Sequence, residues 1–511
     1  MAKKELAINM AANIIAFAVQ FGINFLFTPY LIRTVGKEAY GFFPLANSFI
    51  GYAGIITIAL DSMASRFITI CLEQNNTEGA NIYFNSVLRG NTYISIAITI
   101  PSVLMVIFAD KLLNIPPNIL ADVQWLFGLI FLGSIITIMT SVYNIATFAK
   151  NKLHLSSIRN AESNIIRVAV LLLLFYFFQP TILYFGIANL IVVFFIFYTN
   201  KVYTRKLLPE IKISKIYYRK SAIRELLSSG VWNSVNQLSL IILTSLDLLI
   251  ANILLGASEA GEYSLVKIIP MFIQSLVGML VGVFVPEFTI LYAQNKKKEL
   301  LKSINRSVKI MGIIMTIPLG FVLVWGDVFF KLWVPNQNFE KLYWLSFFTI
   351  IPLVITTSMN TIYNVYTVTN KLKTPAMVLL ATGVINTIVI VILLKITNWG
   401  LFVIPIVSMI IGMSRNLIFT PIYASRCLDV KWNTFYIAIL RGILCCLIIV
   451  STSLIIREFF TPKNWIEFIT LAIIIGLIVL PLNILVALNK NERIAIQKMV
   501  YKTIRKINIF Q

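Results

Sequence analysis

Acidic side chains are scarce in this chain: 21 Asp and Glu stand against 43 Lys and Arg in 511 residues. Histidine is scarcer still, with His154 alone, so no His-rich metal site can be built. The four cysteines are Cys71, Cys427, Cys445 and Cys446. None forms a CxxC pair, which leaves no disulfide framework and no zinc spacing. No polar segment is long enough for a soluble domain; the longest, 201–224, is a basic connector. There is no phosphate-binding Walker loop and hence no intrinsic ATP drive. No nucleophile, base and orienting group recur together, so no catalytic residue is assigned and no enzyme is expected. A net charge of +22 suggests nucleic acid in a soluble protein. Here the positive residues lie between apolar runs, where membrane orientation accounts for them and no nucleic acid is expected.

What the chain has instead is apolar length. Hydrophobic residues make up 58% of it, and the mean hydropathy is +0.85. About 20 apolar residues cross the bilayer core as a helix, and lipid forces each helix to satisfy its own amides. Fourteen spans are expected, at 8–32, 41–61, 82–109, 121–149, 161–179, 182–200, 226–255, 262–291, 308–326, 342–369, 375–395, 400–424, 434–456 and 465–488. The fold class is an all-α integral membrane protein. The apolar part of the first span is too long for a signal peptide, and no A-x-A site follows it, so it reads as a retained anchor.

Lys and Arg fall unevenly on the connectors. Alternate connectors, counted from the N-terminal side, hold 29 of them; the opposite connectors hold 8. The bias places both termini of a multi-pass membrane protein in the cytoplasm, in agreement with an even number of spans. The outward connectors are all short and leave no room for the outer domain of a membrane glycan polymerase or ligase.

The chain also reads as a duplication. With an offset of 220 residues, Asn13 meets Asn233, Gly36 meets Gly256 and Gly41 meets Gly261. Both copies place G-x-x-x-x-G in the turn after a long span, followed two residues on by Phe43 or Tyr263. Six spans per copy preserve direction, so the lobes are related by a pseudo-two-fold axis along the membrane normal. The expected organisation is an N-lobe at 1–200, a linker at 201–224, a C-lobe at 225–424, and two further spans with a basic tail at 425–511.

Four spans carry polar stripes. The first has Asn13, Gln20, Asn24 and Thr28; the second has Asn47, Gly51, Gly54, Asp61 and Ser65. The seventh has Asn233, Gln237, Thr244 and Asp247, and the eighth has Lys267, Gln274 and Gly278. Helical spacing puts each set on one face. Polar side chains at membrane depth are costly and usually face a cavity. One reading is a shared polar cavity; the other is hydrogen bonding that holds a bundle together. Arg89, Arg167 and Arg415 lie in or at the edge of other spans, where they either snorkel or grip an anionic headgroup. Asp247 and Asp61 are the carboxylates placed for ion coupling, to a proton or sodium ion. Glu162, five residues before Arg167, is the expected structural partner of that arginine.

An early Asn followed by a long span ending in Leu31, Arg33, Gly36, Tyr40 and Gly41 resembles the polysaccharide transporter family. So do the second glycine pair and the segment Trp325–Pro335, WGDVFFKLWVP. These are the O-antigen and capsule flippases of the multidrug/oligosaccharidyl-lipid/polysaccharide exporter superfamily. The resemblance implies a two-lobed, monomeric transporter without cofactor, driven by an ion gradient or the membrane potential. Its substrate would be an undecaprenyl-pyrophosphate-linked oligosaccharide, moved from the inner to the outer leaflet by alternating access, with membrane lipids and glycan-assembly enzymes as partners. The implied substrate cavity would use Asn13, Gln20, Asn24, Asn47, Asn233, Gln237, Lys267, Gln274, Arg89, Arg167 and Arg415. A peptidoglycan-precursor flippase, a cation-coupled multidrug exporter and a scaffold for glycosyltransferases are the alternatives; the exporter predicts a more acidic cavity than these residues give.

Overall fold

The computed structural model describes residues 2–282, 284–369, 371–490, 492 and 493. Among them every regular element is helical. Thirteen helices are long and apolar enough to cross a membrane, and a bent pair makes a fourteenth. In chain order they are α1 (Ala2–Val35), α2 (Lys37–Glu73), α3 (Thr77–Ile107), α4 (Pro117–Ala149), α5 (Leu153–Phe177), α6 (Leu183–Leu207) and α7 (Lys220–Leu255). There follow α8 (Ala257–Gly282), α9 (Lys297–Trp333), α10 (Phe339–Val368), α11 (Lys373–Ile396), α12 (Gly400–Cys427), α13 (Tyr436–Arg457) and α14 (Trp465–Ala487). Every expected span has its helix. The basic tail expected beyond Arg493 lies outside the described residues.

The continuous spans of the hydropathy pattern hide several breaks. The bent pair is α2, which turns by 62° between Tyr52 and Thr57, next to Gly51 and Gly54. Glycine lowers the cost of such a turn because it brings no side chain and little helix preference. Ser245 interrupts α7, and Lys267 interrupts α8. Pro270 explains the second break, because it has no amide hydrogen to close the turn onto Val266.

Packing groups the helices into two units: 1–264 with 376–391, and 265–375 with 392–511. This partition does not follow chain order, whereas the lobes at 1–200 and 225–424 are defined by the sequence repeat. In the first unit α2 lies along α7, α1 along α5, and α4 between α3 and α6. The α2–α7 approach is close: a Cβ on Gly230 would stand 2.4 Å from the Ala59 carbonyl oxygen. Small residues permit this, and in lipid such backbone proximity is a main source of helix association.

Glycines paired by the 220-residue offset share features in the backbone of this unit. Gly36 (φ 86°, ψ 155°) and Gly256 (φ 103°, ψ 171°) adopt the same conformation, one closed to residues with a side chain. Gly41 then touches its own counterpart: a Cβ on it would lie 2.8 Å from Gly261 Cα. Contact between equivalent positions is what a two-fold axis produces. Lys37 Nζ donates to Glu262 Oε1 at 2.7 Å beside this contact.

The linker after α6 is not a free tether. Asn81 of α3 donates to Glu210 O and accepts from Lys212 N; Asn85, one turn on, donates to Lys212 O and accepts from Ser214 N. Ser86 Oγ accepts from Arg219 N. Two amides and a hydroxyl thus do for the linker part of what a neighbouring strand would do, pairing five of its backbone groups.

In the second unit α9 is the centre, packed by α10, α13 and α14. A Cβ on Gly312 would lie 3.0 Å from Gly442 Cα, so α13 crosses α9 backbone to backbone. The WGDVFFKLWVP segment ends α9. There Arg457 of α13 donates to Asp327 Oδ2 and Val324 O, with its guanidinium 5.5 Å from the centre of the buried Trp325 ring. In the N-terminal half of α9, Lys309 donates to both carboxylate oxygens of Glu492 at 2.8 and 2.9 Å. Burial alone would raise the Glu492 pKa, but Lys309 and the Asn489 amide outweigh it and hold the carboxyl below its ordinary value.

Candidate functional site

The stripe on α1 is the most open of the four. Asn13, Gln20 and Asn24 are exposed, while Thr28, one turn further, is buried. Asn13 Oδ1 accepts a hydrogen bond from Ser157 Oγ of α5. Thr28 Oγ1 and Tyr40 Oη of α2 lie 3.4 Å apart and share one hydrogen.

On α2 and α7 part of the stripe is helix-to-helix bonding. Asn233 Nδ2 donates to Ser62 Oγ at 3.2 Å, and Ser234 Oγ donates to Ile55 O at 2.9 Å. Asn47 is half-buried and returns its Nδ2 to Phe43 O of its own helix; Gln237 is half-buried on α7. Asp61 Oδ1 accepts from Asn91 Nδ2 at 2.8 Å and from Ser141 Oγ at 2.9 Å. That carboxylate is thus tied to α3 and α4, with neutral donors around it. Asp247 is buried and accepts from Tyr263 Oη at 3.3 Å. In each copy of the repeat, then, a tyrosine of the second span bonds a polar residue of the first: Tyr40 with Thr28, Tyr263 with Asp247.

The remaining expected residues lie elsewhere. Arg89 sits with its guanidinium 5.5 Å from the centre of the Tyr218 ring and belongs to the linker contact. In the second unit Lys267 is half-buried at the break in α8, and Gln274 is exposed two turns on. Arg415 opens a π-helical turn, Arg415–Phe419, within α12. Its Nε and Nη2 donate to Asn416 Oδ1, which also accepts from Tyr363 Oη at 2.6 Å. Its Nη1 is buried without a partner. Such π turns recur where a helix serves a site.

Arg167 has a different neighbour from the one expected. Glu162 pairs with Arg159, three residues before it, rather than with Arg167. The reason is geometric: residues three or four apart face each other on a helix, and residues five apart do not. Arg167 instead lines a cavity of about 50 Å³ together with Asn24, Thr28, Tyr40 and Asn164. This cavity lies wholly within the first unit. It brings together two residues expected at the site, Asn24 and Arg167. Asn164 went unnoticed in the sequence, although it stands one helical turn before Arg167 and its spacing was readable.

Residues 6–292 match the model of a family described as polysaccharide biosynthesis proteins. The chain belongs to this family. Among curated relatives of this family member, EpsK, a membrane protein of Bacillus subtilis strain 168, is 28% identical over 510 residues, covering 99% of this chain and all of that one. A Shigella flexneri protein named for O-antigen transport is 22% identical over 339 residues, 65% of this chain and 77% of its own. Among solved structures, an inward-facing multidrug transporter of the MATE family superposes with TM-score 0.68 at 13% identity, over 83% of this chain and 98% of that one. The lipid II flippase MurJ, in an inward closed conformation, superposes with TM-score 0.67 at 16% identity, over 93% and 98%. The fold of this polysaccharide-family protein is therefore the one shared by MATE and MurJ, and family and fold together support a membrane flippase or exporter.

Proposed function

We propose that this protein carries an undecaprenyl-pyrophosphate-linked oligosaccharide from the inner to the outer leaflet by alternating access, for assembly of a surface polysaccharide such as capsule or O-antigen. The observation that carries the reading is the row Asn13, Gln20 and Asn24, exposed on one face of a spanning helix in a polysaccharide biosynthesis family. Amides turned toward hydrocarbon cost several kcal/mol each, so an exposed row at membrane depth favours a wet, sugar-accepting surface. The relatives point the same way: one is named for O-antigen transport, and the MurJ fold serves a lipid-linked substrate.

The charge pattern supplies orientation and drive. Both termini and the basic linker face the cytoplasm, and the anionic headgroup moves outward with an inside-negative potential. An ion gradient acting through Asp247 or Asp61 is the other available drive. Within the second unit, Lys267, Gln274 and Arg415 are side chains whose charge and amide chemistry suits an anionic sugar headgroup.

The test is a strain in which the chain is replaced by the Gln20→Leu/Asn24→Leu double variant or by Lys267→Ala. At wild-type protein levels, surface glycan should fall about tenfold while lipid-linked sugar accumulates in the inner leaflet, the effect of losing one charge-assisted contact of about 1.5 kcal/mol. Normal surface glycan in both variants would remove these faces from the transport path. Unchanged glycan with altered drug resistance would favour the exporter.

A further inference from the structure

The cavity around Arg167 holds a cation with nothing to balance it. Among the described residues none of the ion pairs involves Arg167, and its Nε is buried without a hydrogen-bond partner. The side chain does not run to a helix end: α5 extends about 21 Å before Arg167 and about 15 Å beyond it, at 1.5 Å per residue. Arg167 itself is half-buried, and a guanidinium nitrogen shut away from water without an acceptor is unfavourable. A guanidinium held beside a small, mainly apolar cavity with a few polar groups has room there for a counter-charge from outside.

Most of the remaining lining is apolar, but its four other polar residues suit an anion. Thr28 and Tyr40 share one hydrogen between two hydroxyls, so the second hydroxyl hydrogen is left to donate. Asn164 spends one amide hydrogen on Asn160 O and keeps the other. Asn24 brings an exposed amide to the same wall. The cavity admits more than one water, since a single water needs only about 10–15 Å³ by this measure. A guanidinium grips two oxygens of a phosphate at once, and hydroxyl and amide donors complete the shell.

We propose that Arg167, with Asn24, Thr28, Tyr40 and Asn164, forms a phosphate-binding site inside the first unit. Either free inorganic phosphate or the phosphate of a polyprenyl lipid offers the same chemistry. Only the lipid source rests on the transport reading given above.

The experiment uses the full chain in phosphatidylcholine nanodiscs with gluconate as the sole buffer anion. Thermal melting is followed as sodium phosphate is added, and in a parallel arm with nanodiscs doped with undecaprenyl phosphate. A saturable rise in the melting midpoint of the wild type, absent in Arg167→Gln, is the expected result. A rise with sodium phosphate assigns a free ion; a rise only with the doped nanodiscs assigns the lipid. Thr28→Val and Asn24→Ala keep the charge and should each weaken the midpoint response about tenfold in concentration. No rise with either probe, or an equal rise in Arg167→Gln, overturns the site. If Arg167→Gln fails to fold, unchanged affinity in both Thr28→Val and Asn24→Ala overturns it. Phosphate binding that persists while flipping is absent in the glycan assay would sink the transport reading and leave this site standing.

Discussion

Gly230 shows how a single residue sets a helix interface here. A Cβ at that position would meet Ala59 at 2.4 Å from its carbonyl oxygen and 2.7 Å from its Cα, both backbone atoms that no rotamer can move aside. Gly230→Leu should therefore destabilise the protein by about 3 kcal/mol. Melting in detergent would show the lowered midpoint, and a midpoint equal to wild type would mean that α2 and α7 do not approach as described. Nothing in the sequence distinguished this glycine from the others, because its demand comes from a partner 171 positions away, in the same region where Asn233 reaches Ser62. Arg167 illustrates the converse. Its place beside Asn24, Thr28 and Tyr40 depends on three helices meeting, and spacing along one helix suggested Glu162 instead.

The helices themselves were legible because hydrocarbon imposes a length and an apolar composition that nothing else in the chain imitates. The break at Ser245 was not, since hydropathy averages over a turn, whereas Pro270 signals the one at Lys267. The linker was legible as a basic connector but not as a bound segment. Its partners, Asn81 and Asn85, read as ordinary polar residues near a helix start. Asn81→Ala/Asn85→Ala should free it: the lost bonds amount to about 2 kcal/mol, or roughly thirtyfold faster trypsin cleavage after Lys212 and Lys215. Cleavage at the wild-type rate in the folded double variant would show that the clamp adds no protection.

For the whole molecule, the expected orientation is open to a direct measurement. The four native cysteines are buried, which gives a quiet background for labelling. Lys215 in the linker and Asn336 in the turn after α9 are both exposed. A membrane-impermeant maleimide should label Asn336→Cys in intact cells and Lys215→Cys only after permeabilisation; the reverse pattern would invert the topology. Family membership fits the full-length match to EpsK, and the duplication read from the 220-residue offset has a shared backbone conformation at Gly36 and Gly256 beside it. Composition obscured it, because apolar residues replace one another freely in lipid while a left-handed turn accepts little besides glycine. The meeting of Gly41 with Gly261 carries this further. Each copy has already surrendered its side chain to make room for the other, and no smaller amino acid exists to absorb a later change. Whatever divergence the two copies have undergone elsewhere, at this point they can only stay as they are, together.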